Sequence, residues 1–101
     1  MTDLPTREAL GLALLERRIA LQLTQHDLAE RAQLSQAIVS RIEQARQACT
    51  LEQFSVLAKS VRLTRAELFA RVEEARVRLR SPKARLLYLS GRTRVARPHQ
   101  R

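Results

Sequence analysis

The sequence predicts an all-α protein, because three features of the chain favour helices over strands. It has two Gly and three Pro in 101 residues, and only 3% of its residues are aromatic. All three prolines lie near the ends, at positions 5, 82 and 98, so no proline breaks a helix between them. Apolar residues recur at helical spacing, and Ser or Thr residues typical of helix N-caps separate the apolar groups.

The first predicted helix begins after Pro5-Thr6 and ends near Leu21, with Leu10, Leu14 and Leu21 forming its apolar stripe. Arg18 lies where the stripe should continue. Such an arginine either extends along its aliphatic stem to reach water or, if it is buried, needs a charged partner.

Two short helices follow. Thr24 opens the second with a capping-box pattern, and Ser35 is the candidate N-cap of a third that ends near Gln44. Val39 and Ile42 should face the core. The opposite side of this third helix has small or polar side chains and no acid: Gln36, Ala37, Ser40, Arg41 and Gln44.

Capping-box patterns at Thr50 and Thr64 open the fourth and fifth helices, and the fifth is predicted to continue to Arg80. Ser81-Pro82 should end it, and residues 83–90 should add a further helical turn or two. The stripe on the fifth helix is our candidate dimer surface, and the alternative is that it covers the bundle of its own chain. Its members are Leu68, Val72, Ala75 and Leu79.

The positive charge is concentrated at the C-terminus of the chain. The net charge is +9, yet residues 1–69 hold nine Lys/Arg against eight Asp/Glu, and residues 81–101 hold six Lys/Arg and no acid. Residues 91–101 are therefore predicted to be a basic, flexible tail. The charge favours a polyanionic partner, nucleic acid first and an acidic protein second.

The composition argues against an enzyme and against a membrane protein. One cysteine and two histidines supply too few ligands for an ordinary zinc site, and the chain has no Gly-rich phosphate loop. No apolar run approaches the roughly 18 residues of a membrane span. We therefore expect no catalytic residue, metal or cofactor, and a cytoplasmic location with the nucleoid.

Residues 23–32, with the sequence LTQHDLAERA, resemble the first half of the helix-turn-helix motif of the phage repressor/Cro (XRE-type) family. Leu34-Ser35 and residues 39–43 (VSRIE) resemble its second half, and residues 50–69 contain matches to the family's fourth and fifth helices. The resemblance implies a five-helix DNA-binding domain over residues 6–69. Residues 70–90 are then a C-terminal helical extension and the candidate dimerisation segment.

The resemblance also implies roles for individual residues. Gln25 matches a position that touches phosphate and braces the recognition helix, and Arg46 matches a further phosphate contact. Arg18 and Glu43 match the family's internal ion pair, which would explain the arginine in the apolar stripe. The remaining predicted DNA contacts lie at the start and on the outer side of the third helix: Ser35, Gln36, Ala37, Ser40 and Arg41.

The chain departs from the family pattern at three turns. Family members usually have Gly where this sequence has Gln22, Gln33 and Ala45, whereas Gly11 is a match. A side chain in the left-handed conformation costs on the order of 1 kcal/mol. Either the chain tolerates this strain or its turns are rebuilt.

The function predicted from the sequence is a homodimeric transcriptional regulator, a repressor that reads a two-fold symmetric operator in double-stranded DNA. The alternative is an antitoxin of the same fold that binds a toxin protein and represses its own operon. The extra segment after residue 69 could serve either role.

Overall fold

The computed structural model describes residues 6–91 and contains six α-helices and no strand within that range. The predicted tail, residues 91–101, lies outside the described residues except for Gly91. The predicted helix ends agree with the observed ones to within about two residues. The helices are α1 (Thr6–Ala20), α2 (Gln25–Ala32), α3 (Gln36–Glu43), α4 (Leu51–Ser60), α5 (Arg65–Arg78) and α6 (Pro82–Leu89).

Hydroxyl side chains define the starts of α2 to α6. In each case the N-cap oxygen accepts a hydrogen bond from the backbone N–H three residues later, and full capping boxes occur at Thr24, Thr50 and Thr64. The sequence predicted that Ser81-Pro82 would end α5. These residues also start α6, since Ser81 is its N-cap and the proline ring suits the first helical position.

The turns where the family has Gly keep their left-handed conformation without it. Gln22, Gln33 and Ala45 have φ angles of 61°, 57° and 60°. The chain therefore tolerates the strain, at about 1 kcal/mol for each residue, and does not rebuild the turns. Arg62, after α4, has a φ of 61° and forms a fourth left-handed turn that the sequence did not predict.

The core is mainly aliphatic and draws on every helix, with Tyr88 as the buried residue of α6. Its largest fully buried side chains come from α1 to α5 and their ends: Leu14, Leu28, Val39, Ile42, Leu57, Val61, Leu68 and Leu79. α1 packs against both α5 and α3, and α2 packs against both α3 and α4. The contacts of α3 with α1 and α2 therefore set its orientation relative to the rest of the bundle.

The apolar stripe of α5 is part of this core, so its prediction as a dimer surface is wrong. Leu68, Val72, Ala75 and Leu79 are each at most 2% exposed, and α5 packs along α1. The alternative, that the stripe covers the chain's own bundle, is the correct one. Helix α5 continues without a break through residues 69 and 70, as the sequence predicted for the fifth helix.

Candidate nucleic-acid interface

Helices α2 and α3 form a compact pair joined by a three-residue turn, residues 33–35. Gln33 turns the chain in the left-handed conformation, and the Leu34 amide donates a hydrogen bond back to the Ala29 carbonyl at 3.0 Å. Ser35 then caps α3 by accepting from the Ile38 amide at 3.1 Å. The turn is thus fixed by local bonds, and α3 starts at a defined point.

Helix α3 has one buried and one open side. Val39 and Ile42 are at most 1% exposed and join the core. The side chains on the opposite side define the outer face of α3, in which all but the half-buried Ser40 are exposed: Gln36, Ala37, Ser40, Arg41 and Gln44. The structure therefore brings together on one surface the side chains that the sequence predicted to read base edges.

Short hydrogen bonds hold the polar groups of the outer face in place. The Arg41 Nε donates to the Gln47 Oε1 at 2.8 Å, and the Gln44 Nε2 donates to the Ser40 Oγ at 3.1 Å. Gln47 lies in the loop after α3, and no role was predicted for it from the sequence. Both bonds lie at the protein surface, where a bound ligand can compete for the same polar groups.

The outer face has no acidic side chain, because the one acid of α3 is buried beneath it. Glu43 is 3% exposed, whereas Arg41 and Arg46 are exposed. Ser35, Gln36 and Ala37, at the start of α3, are exposed as well. This surface therefore offers guanidinium, amide and hydroxyl groups to a polyanion without a repelling carboxylate.

Glu43 connects α3 to two other helices through its carboxylate. The Arg18 Nε and Nη2 donate to its two oxygens at 2.6 and 3.0 Å, which is the ion pair that the family resemblance implied. Gln25, at the start of α2, donates from Nε2 to the Glu43 Oε1 at 3.0 Å. Arg18 also donates to the Leu23 carbonyl at 2.7 Å, so one arginine joins the turn before α2 to the end of α3.

The contacts of Gln25 correspond to the bracing half of its predicted role. Its amide nitrogen lies on the buried Glu43 carboxylate, while the side chain as a whole is half-buried at the start of α2. A phosphate contact by Gln25 stays a prediction, as do the DNA contacts of Ser35, Gln36, Ala37, Ser40, Arg41 and Arg46.

Tyr88 is a residue at this site that sequence reasoning missed. It lies on α6, is 6% exposed, and its hydroxyl donates to the backbone carbonyl of Glu43 at 2.5 Å. Burial raises the pKa of Tyr88 well above its usual value, so the hydroxyl keeps the proton that it donates. The sequence signal was weak, since a single tyrosine near a basic tail shows no helical pattern.

Cys49 shows no sign of a reactive thiol. Burial raises its pKa to about 11, so the neutral thiol prevails at neutral pH. Within residues 6–91, no group of three or more His, Cys, Asp or Glu side chains is placed to hold a metal ion. The helices of the same range are also too short or too polar to cross a bilayer.

The chain matches a family model described as a helix-turn-helix domain over residues 9–70. A search of curated protein sequences found no match. Among solved structures, this chain is similar to the clp gene regulator ClgR from Corynebacterium glutamicum. One crystal structure of ClgR has a TM-score of 0.74 at 23% identity and covers 91% of this chain and 100% of that one. A second has a TM-score of 0.66 at 25% identity and covers 70% and 92%.

A further similar structure is the restriction-modification controller protein C.Esp1396I, solved as a tetramer in complex with its natural 35 base-pair operator. Its TM-score is 0.67 at 18% identity, and the alignment covers 71% of this chain and 95% of that one. At this identity the likeness concerns the fold.

Proposed function

Because the chain belongs to the helix-turn-helix domain family, we propose that it is a non-enzymatic, cytoplasmic, sequence-specific DNA-binding regulator of transcription. In this proposal α3 is the recognition helix and inserts into the major groove. The observation that carries the proposal is the outer face of α3, which is exposed, polar and free of acid above a buried apolar side.

The dimensions and chemistry of α3 suit this role. The major groove is about 12 Å wide and accepts one α-helix, whose short polar or guanidinium side chains read base edges. Arg41 suits the two acceptors of guanine, Gln36 suits adenine, and the Ala37 methyl group suits the methyl of thymine. Ser40 lies between them on the same face.

Phosphate contacts would come from the rim of this surface. Ser35 lies at the N-terminus of α3, Gln25 at the N-terminus of α2, and Arg46 in the loop after α3. Backbone amides at helix N-termini favour anions, and an exposed arginine neutralises a phosphate with release of a counterion. These contacts would set the register of α3 in the groove without reading sequence.

The proposed assembly is a homodimer that reads a two-fold symmetric operator and represses by covering the promoter. One eight-residue helix reads too few base pairs for specificity, whereas two half-sites about 34 Å apart supply enough. The segment 70–90 remains the candidate dimer interface. The contacts would come from its exposed side chains, because the apolar stripe of α5 is buried. Val77, Leu86 and Leu89 are each at least half exposed there.

The similar structures agree with a regulator rather than with the antitoxin alternative. They are named as a gene regulator and a controller protein, and the controller is a tetramer on operator DNA. The antitoxin hypothesis gains no support from them.

The proposal is tested by footprinting on genomic DNA, followed by affinity measurements on the site that is found. We expect a symmetric footprint with half-sites one helical turn apart. Arg41→Ala should weaken binding to that site by about 1–3 kcal/mol. Arg71→Ala, which removes an exposed arginine of α5, is the matched control and should leave the affinity almost unchanged.

Two results would contradict the proposal in different ways. A footprint of a single half-site would contradict the dimer but not DNA reading. Equal affinities of the wild type and Arg41→Ala would place Arg41 outside the DNA-reading surface.

A further inference from the structure

We propose that Tyr88 is a positioning residue for DNA recognition, because its hydroxyl fixes the C-terminal end of α3 from the extension helix α6. This inference rests on the proposed function of α3. It assigns a role to a part of the chain that lies beyond the matched helix-turn-helix region, which ends at residue 70.

The Tyr88 hydroxyl occupies a position that the backbone of α3 leaves open. The last carbonyls of a helix lack partners within the helix. The amides that follow α3 bond to the carbonyls of Ser40, Arg41 and Ile42, and the Glu43 carbonyl receives the Tyr88 hydroxyl instead. The tyrosine thus completes the C-terminal end of α3 where the chain turns through Ala45.

Space for this bond exists because residue 11 is glycine. A Cβ at Gly11 would lie 2.2 Å from the Tyr88 hydroxyl oxygen, and 2.7 and 2.8 Å from the carbonyl oxygens of Glu43 and Ile42. Helices α1 and α3 therefore approach closely at Gly11, and the hydroxyl reaches the crossing itself. Because no side chain at residue 11 intervenes, the Tyr88 hydroxyl can bond directly to the Glu43 carbonyl and restrain the backbone of α3.

Helix α6 is itself anchored on α1 by an ion pair. The Arg85 Nε and Nη2 donate to the two oxygens of the Glu8 carboxylate at 2.7 and 2.9 Å. Bidentate pairs of this kind fix orientation as well as distance. Tyr88 follows Arg85 by three residues, so the pair places the tyrosine ring on the same side of α6.

The restrained end of α3 is the one that leads into the DNA-facing loop. Arg41 and Gln44 lie on its last turns, and Arg46 and Gln47 follow directly. Between this loop and the end of α6 lies an open groove of about 340 Å³, lined in part by Arg18, Gln25, Arg46, Tyr88 and Leu89. The groove separates the loop from α6 on this side. The Tyr88 hydroxyl bond is therefore a local contact, and removal of its single oxygen atom abolishes it.

The test uses Tyr88→Phe in the full chain, which removes that oxygen and keeps the ring in the core. We expect affinity for the footprinted operator to fall about five-fold, while affinity for random-sequence DNA at the same salt stays unchanged. A merely structural loss would lower both affinities together. Ser55→Ala removes a hydroxyl that bonds to the Leu51 carbonyl within α4; it is the control and should change neither affinity.

A second measurement needs no DNA. The amides of Arg46 and Leu34 make equivalent bonds after α3 and α2, to the Arg41 carbonyl at 2.8 Å and the Ala29 carbonyl at 3.0 Å. In Tyr88→Phe, hydrogen exchange at Arg46 should be several-fold faster than in the wild type, and exchange at Leu34 should be unchanged.

The outcomes separate this inference from the function on which it rests. An unchanged operator-to-random ratio, or unchanged exchange at Arg46, would overturn the role of Tyr88, even if Arg41→Ala still weakens operator binding. If Arg41→Ala has no effect while Arg46 exchange does increase, Tyr88 still fixes the end of α3, and the proposed DNA contact of Arg41 is wrong.

Discussion

The two ends of α3 are held in different ways. At the C-terminal end, Glu43 is 3% exposed and receives donors from Arg18, Gln25 and Tyr88, which lie on three other helices. At the N-terminal end, Ser35 and Gln36 are exposed, and the described bond is the local one from the Ile38 amide to the Ser35 hydroxyl. One end is fixed by tertiary contacts and the other by its own cap.

This difference predicts which residues of α3 tolerate substitution: the exposed ones at its N-terminal end more than the buried Glu43. The exposed side chains at positions 36 and 37 can change without the loss of a described tertiary contact. A change at Glu43 affects α1, α2 and α6 together. The fold thus holds one end of α3 by tertiary contacts and leaves the other end exposed.

The strongest test of this contrast is Glu43→Ala. We expect it to lower the free energy of unfolding by about 3 kcal/mol, because it leaves Arg18 largely buried without its carboxylate. Urea denaturation measures the loss. Glu30→Ala, which removes a carboxylate that is 73% exposed on α2, should cost less than about 0.5 kcal/mol. If Glu43→Ala lowered the free energy of unfolding no more than Glu30→Ala does, the bonds of the Glu43 carboxylate to Arg18 and Gln25 would not stabilise the fold.

A smaller effect is expected at the other end of the helix. Ser35→Ala removes the cap of α3 and should cost about 1 kcal/mol in the same denaturation experiment. Ser55→Ala is the matched control, since its hydroxyl bonds within α4 to the Leu51 carbonyl, and alanine favours helix interiors. A loss at Ser35 as large as that at Glu43 would remove the distinction between the two ends.

The smallest effect concerns the turns before and after α3. Gln33→Gly and Ala45→Gly should each raise the free energy of unfolding by about 0.5 kcal/mol. The reason is that glycine relieves the left-handed strain of the folded state. This gain in free energy exceeds the loss that comes from the greater conformational entropy of the unfolded chain. Thermal unfolding should show a rise of a few degrees. Ala37→Gly, inside α3, should instead lower stability by about 1 kcal/mol. If Ala45→Gly also destabilised the protein, the φ of 60° at that residue would not be a source of strain.

Much of the fold could be read from short stretches of sequence. The N-caps at Thr24, Ser35, Thr50 and Thr64 were predicted because each bonds to an amide three residues away. The family resemblance supplied the partner of Arg18, which the apolar stripe of α1 alone left open between water and an ion pair. The outer face of α3 was predicted because its composition differs sharply from that of Val39 and Ile42.

The errors and omissions concern contacts between distant segments. The stripe on α5 was correctly identified as apolar, but periodicity does not say whether the chain itself or a second copy covers it. Arg62 was missed because a left-handed arginine carries no sequence signal comparable to Gly.

The sequence by itself determined where the helices start, which side of each is apolar, and that α3 offers a polar, acid-free surface. These properties depend on bonds and spacings within a few residues of one another. Only the tertiary structure decided that α5 closes the core and that Tyr88 completes the end of α3. The Tyr88 hydroxyl and the Glu43 carbonyl are 45 positions apart in the chain. Their meeting depends on the packing angles of α1, α3 and α6, which arise from the whole core.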